Sequence, residues 1–183
     1  MQSIETIKTL LAGDEFRKLT IKDSDGNDIV VTIAINNPIC MNEFNGYSVN
    51  KLPKQYVELL AFANGMELYN YDNIDGIKLL SLDEVQSYTQ YAKNIFEEKW
   101  QESIIIFGKI IGEDNYLAFR VEDEGYVILD CYFDEIPENW KAISNDFDTF
   151  LLKYLVLNGE KYWLWSELKT HRRPIILVKK PDG

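Results

Sequence analysis

The sequence predicts an α+β fold, a twisted, mostly antiparallel sheet flanked by helices, and three observations lead there. Apolar-patterned strands are joined by short clusters of turn formers, DSDGND and EDEG, so sequence neighbours pair as hairpins. Between and after the strands stand separate amphipathic helices with apolar residues at i, i+3, i+4 and i+7. The 183 residues, 46% of them hydrophobic, suffice for one packed core.

The elements follow in order. Ile4, Ile7, Leu10 and Leu11 make a short amphipathic helix ending near Gly13. Residues 19–35 read as a hairpin, and 36–50 as a loop with Pro38 and Asn45-Gly46. In KLPKQYVELLAFANGM, Pro53 suits the first turn of a helix and Tyr56, Leu59, Leu60 and Ala63 form one stripe. Asn64-Gly65 is expected to close this helix, with glycine in the left-handed cap. Residues 69–76 are expected to be a polar loop, and 77–80 a short strand. Ser81 and Glu84 have capping-box spacing, and the helix they start carries Val85, Tyr88, Ala92, Ile95 and Phe96 on one face. Strands are expected at 104–107, 115–121 and 126–132, the last two as a hairpin. A connector with Pro137 and Trp140 leads to the stripe Phe147, Phe150, Leu151, Tyr154 and Leu155, ended by Asn158-Gly159. The final segment suggests a short helix broken before Pro174 and a strand at 175–178, able to pair within its own sheet or with a neighbouring chain.

The order of these pieces resembles the SMI1/KNR4 family of the SUKH superfamily: KLPKQYVELLAFANGM, IKLLSLDEV, IIIFGKIIGEDNYLAFRV, GYVILDCYFDE, then AISNDFDTFLLKYL. The resemblance spans about 52–155. Met66 departs from it, standing where the family often has a second glycine, and so does Gly112-Glu113-Asp114 after the core strand. One domain over 1–183 is expected, with a family-like core at 52–155, an N-terminal helix and hairpin at 1–35 and a C-terminal extension at 159–183. The family is best known for bacterial immunity proteins, so the resemblance implies binding rather than catalysis.

Charge bounds the partners. The net charge is −11, and the last dozen residues carry +3, which leaves −14 for the rest. Such a body disfavours nucleic acid, whose phosphates need lysine and arginine. It suits a basic partner and speeds its capture, besides keeping the chain soluble. Cys40 and Cys131 form no CxxC, the first residues lack a secretory pattern, and no apolar run nears the roughly 20 residues of a membrane span. A cytoplasmic protein with reduced thiols, monomer or homodimer, is expected.

Chemistry is sparsely signalled. His171, the one histidine, sits in THRRP with no nucleophile elbow near any serine, and reads as a surface residue. Asp23 to Asp28 has a calcium-loop flavour, but its glycine is fourth rather than sixth and Ala34 fills the twelfth place. GxxxxGK[ST] and GxGxxG are both absent, so no cofactor is expected. Acid clusters stand at Asp72 and Asp75, Glu113 and Asp114, Glu122 to Glu124, and Asp134 with Glu135. Each is ordinarily a solvated turn. Tyr69 and Tyr71 stand beside the first of them and Tyr132 beside the last, a mixture suited to gripping lysine or arginine on a protein. Tyr69, Tyr71, Asp72, Asp75, Glu113, Asp114, Tyr132, Asp134 and Glu135 are therefore the candidate partner-binding residues. With the resemblance, the expected function is immunity: binding a cognate, basic toxin such as a nuclease. A regulatory scaffold with several cellular partners, like fungal SUKH-type regulators of cell-wall synthesis, is the alternative. A carboxylate-dependent enzyme is the third reading, and it requires a concave pocket with a strongly perturbed acid.

Overall fold

Eight antiparallel strands, each hydrogen-bonded to its sequence neighbour, make one sheet in the order β1 to β8 of the computed structural model, which describes residues 1–23, 26–39 and 51–165. The strands are β1 (Phe16–Lys22), β2 (Asp28–Ile35), β3 (Met66–Tyr71), β4 (Asp75–Leu79), β5 (Ile104–Ile110), β6 (Asn115–Glu122), β7 (Gly125–Tyr132) and β8 (Lys141–Ser144). The helices are α1 (Gln2–Leu11), α2 (Lys54–Phe62), α3 (Leu82–Phe96) and α4 (Phe147–Val156). The α+β expectation holds. The strand expected at 175–178 and His171 lie outside the described residues.

Both faces of the sheet are covered. On one, Tyr56 of α2 and Phe147 of α4 meet the rings of Phe107 and Phe119 edge-on at 5.5 to 5.8 Å, and Phe107 stacks on Phe119 at 4.0 Å. On the other, α3 sets Tyr88 against Tyr116. The alternation of β6 explains this: Leu117 and Phe119 point to α2 and α4, Tyr116 and Ala118 to α3. The α2 stripe, Tyr56, Leu59, Leu60 and Ala63, is fully buried, as are Phe147, Phe150, Leu151 and Tyr154 of α4.

Side chains tie the helices down. Tyr126 of β7 donates to Gln55 Oε1 (2.6 Å), the Phe147 amide donates to the Tyr126 hydroxyl (2.8 Å), and Gln55 donates to Asp146 (2.8 Å). Asp146 caps α4 by accepting from the Thr149 amide at 2.7 Å. Asp148 accepts from the Gln2 and Ser3 amides and from the Ser3 hydroxyl, so one carboxylate of α4 caps α1. Ser81 and Glu84 form the expected capping box, and Lys78 pairs with Glu84 at 2.6 Å.

Several expectations need correction. The expected loop at 69–76 is mostly strand: β3 and β4 make a hairpin whose turn places Asp72 and Asn73 at φ 47° and 60°, as a type I′ turn requires. The connector after β7 ends in a short strand, β8. Asn64-Gly65 does not cap α2, which ends at Phe62 with Ala63 extended. Gly65 (φ +92°) instead lets the chain pass the start of α3, where a Cβ would stand 2.9 Å from the Ser81 nitrogen. Asn158 and Gly159 do end α4: their amides reach back to the Leu155 and Tyr154 carbonyls as a Schellman motif.

Candidate functional site

An up-and-down sheet sends alternate connections to the same end. The turns after β1, β3 and β5 and the connection after β7 therefore share one end, while α2 and α3 leave from the other. This topology brings Asp72, Asp75, Glu113, Asp114, Asp134 and Glu135 to one edge of the molecule, all exposed. The fourth cluster, Glu122 to Glu124, lies at the opposite end, in the last residue of β6 and the two-residue turn to β7.

The structure separates these acids into two sorts. Lys161, which follows α4, reaches Asp75 at 3.1 Å and Glu113 at 2.5 Å and clips the two turns together. Burial alone would lower the lysine's pKa, but the bond to Glu113 and the charge of Asp75 outweigh it and raise the pKa above the ordinary value. Asp75 also accepts from the Gly76 amide, Glu113 from Asn115, and Glu135 from Asn139. These three carboxylates hold the architecture of the edge. Asp72, Asp114 and Asp134 make no hydrogen bond or ion pair to the described residues.

Two turns of this edge are also in close contact. A Cβ on Gly112 would stand 2.1 Å from the Ile74 carbonyl oxygen, so only glycine lets the β5–β6 turn lie against the β3–β4 turn.

The aromatics divide likewise. Tyr69 is only 3% exposed and stands at φ 53°, rare for a bulky residue, where a bulge shifts the register of β3. Its hydroxyl donates to the Leu155 carbonyl at 2.8 Å and burial lifts its pKa to about 12. Gly76 and Gly159 press against it, each with a would-be Cβ 2.7 Å from a Tyr69 atom. Tyr69 is thus a locked core residue, and only one side of it reaches a groove. That groove, about 310 Å³, runs between the β1–β2 hairpin and residues 158–161, floored by Ile29, Val31, Tyr69 and Tyr71. Tyr71 is half-buried there, and Tyr132 is 36% exposed at the end of β7.

Strong pKa perturbations fall on structural groups. Tyr56, Tyr154 and Cys131 are raised by burial, with a nearby carboxylate adding to each: Glu84, Asp75 and Asp130. Asp146 and Asp148 are lowered on balance. For Asp146 the Thr149 bond leads; for Asp148 burial opposes the change and the bonds from Ser3 and Gln2 prevail. Among the described residues, no three His, Cys, Asp or Glu side chains converge as a metal site, and no helix is long and apolar enough to cross a membrane.

Sequence reasoning missed Lys161. No local signal marks it, since its partners are 86 and 48 positions away. Comparison with known proteins places residues 42–153 under the model of the SMI1 / KNR4 family (SUKH-1). The chain is also similar to the uncharacterized protein YobM of Bacillus subtilis (strain 168), with 23% identity over 176 residues that cover 90% of each chain.

Proposed function

Since this chain belongs to the SMI1/KNR4 family (SUKH-1), we propose that it is a non-catalytic protein-binding module, an immunity protein that captures and blocks a basic toxin. The observation that carries the reading is the acidic edge: Asp72, Asp114 and Asp134 sit on three different connections and engage no described residue. Carboxylates held forward without internal cations raise the local concentration of a basic partner and speed encounter. A nuclease, whose nucleic-acid groove is lined with lysine and arginine, is the class of toxin that fits best. Catalysis has less support, because the strongly perturbed groups are accounted for by burial, caps and hydrogen bonds of the fold.

The test is capture from cells with the full chain as bait, followed by association kinetics of the captured partner. A single basic partner is expected, whose association rate drops about ten-fold between low and high salt. The triple variant Asp72→Asn, Asp114→Asn, Asp134→Asn should lose most of that salt dependence. An acidic partner, or an association rate indifferent to both salt and the triple variant, rejects the reading.

A further inference from the structure

Helix α3 carries more apolar surface than the sheet covers. Leu82, Val85 and Ala92 are buried, yet Tyr91 is 52% exposed and Ile95, expected on the buried face, is 45% exposed. These two stand one turn apart on a flank where the Tyr91 ring stacks on Phe133 of the β7–β8 connection, at 6.3 Å. Phe133 stacks on Trp140 with planes 3° apart, and Phe96 meets both rings edge-on. Trp140 is fixed in turn: its indole N–H is shared between the Tyr132 and Glu135 carbonyls at 3.0 and 3.1 Å. Beside that anchor Ile136 is 42% exposed.

The result is a rigid aromatic floor with apolar side chains standing on it in solvent. Such a surface marks an interaction site more often than a stray exposed leucine would. The charges of the connection are of one sign. Asp134, Glu135 and Glu138 are exposed, and residues 133–139 contain no lysine or arginine.

We propose that this ledge anchors a protein partner through one apolar side chain flanked by lysine or arginine. The apolar group seats against Tyr91, Ile95 and Ile136, and the flanking cations pair with Asp134 and Glu138. The proposal rests on the basic-partner reading above and adds the place where the partner sheds its water. Pre-ordered aromatic groups lose little freedom on binding, and a desolvated centre inside a charged rim is where binding energy concentrates.

The probe is a phage-displayed library of random linear peptides, selected against the full chain. Enriched peptides should carry an apolar or aromatic residue beside lysine or arginine. They should bind the double variant Ile95→Ser, Ile136→Ser about ten-fold more weakly, and the variant Asp123→Asn, Glu124→Gln, at the opposite end of the sheet, unchanged. The isoleucines are 45% and 42% exposed, so the serine variant should stay folded with a Tm only slightly below wild type, which makes a ten-fold loss of binding specific. No enrichment, enrichment of another composition, or equal binding to the serine variant overturns the proposal. Self-association of the wild type that the serine variant abolishes would make a second copy the occupant and also overturns it. The two readings fail separately. A captured basic partner indifferent to Ile95→Ser, Ile136→Ser removes the anchor alone. A captured partner that is not basic removes the electrostatic reading and leaves the peptide result standing.

Discussion

Replacing Tyr56 by phenylalanine removes one oxygen from the centre of the molecule. The Tyr56 ring is fully buried and meets Phe107, Phe119 and Phe147 edge-on, contacts that phenylalanine keeps. Its hydroxyl lies 2.6 Å from the Leu80 carbonyl and 3.0 Å from that of Phe107. The Phe107 carbonyl retains a donor, the Leu80 amide at 2.9 Å, whereas the Leu80 carbonyl loses the hydroxyl. A net hydrogen bond is worth about 1 kcal/mol, and a carbonyl left dry costs about 1 kcal/mol or more, so the variant should lose about 2 kcal/mol. For a chain of this size that is a fall in Tm of about 4–8 °C. Thermal unfolding followed by near-UV circular dichroism measures it. Burial, helped by the charge of Glu84, raises the Tyr56 pKa well above its ordinary value, so the deficit should stay constant from about pH 6 to 9. Tyr56→Leu, which also gives up the ring contacts, should cost about 2 kcal/mol more. A Tm change below about 2 °C for Tyr56→Phe, or a loss equal to that of Tyr56→Leu, would refute the hydroxyl's role.

Gly112→Ala should cost about 3 kcal/mol in urea unfolding, because φ +80° strains the alanine and its Cβ meets the Ile74 carbonyl. Gly125→Ala, also at positive φ (+138°) but with open space around it, should cost clearly less; equal losses would mean the two turns do not touch. Asp148→Asn should cost about 1 kcal/mol at pH 7, the usual worth of a cap. The Asp148 pKa is lowered in the folded state, so its contribution is present above the ordinary aspartate value of about 3.9 and is lost as pH falls through the lower folded value. The stability gap between wild type and Asp148→Asn should therefore close below about pH 4; a gap unchanged there would exclude the cap.

The four helices and two of the hairpins were legible because each is a local pattern: the α2 stripe, the Ser81 and Glu84 box, the EDEG turn. β3 was not. Its alternation breaks at Tyr69, where a bulge turns inward a residue that simple alternation places outside, and Asn70, Asp72 and Asn73 make a hairpin read as a polar loop. β8 has only four residues, too few to show a period. Among the candidate site residues, the sequence placed the acids in turns, which holds for all but Asp75 at the head of β4, but held no information about which carry internal partners. Asp75 and Glu113 are engaged by Lys161 through contacts that only the folded chain creates. Ile95 fits the periodicity of a buried face and yet is 45% exposed.

A sheet whose spatial order equals its chain order also has a history during synthesis. Five of the seven pairings close over eight residues or fewer, while β2–β3 and β4–β5 close over the longer segments that hold α2 and α3, which keeps the entropic cost of most pairings small for a β-rich protein. The long-range debts fall on the helices. Tyr56, Phe107 and Phe119 are roofed only when Phe147 and Phe150 arrive, and the first helix of the chain receives its cap from Asp148. Among the described residues α4 is the last α-helix to be made and the keystone for the first, and the emerging chain carries an open aromatic face until residues 147–156 are in place.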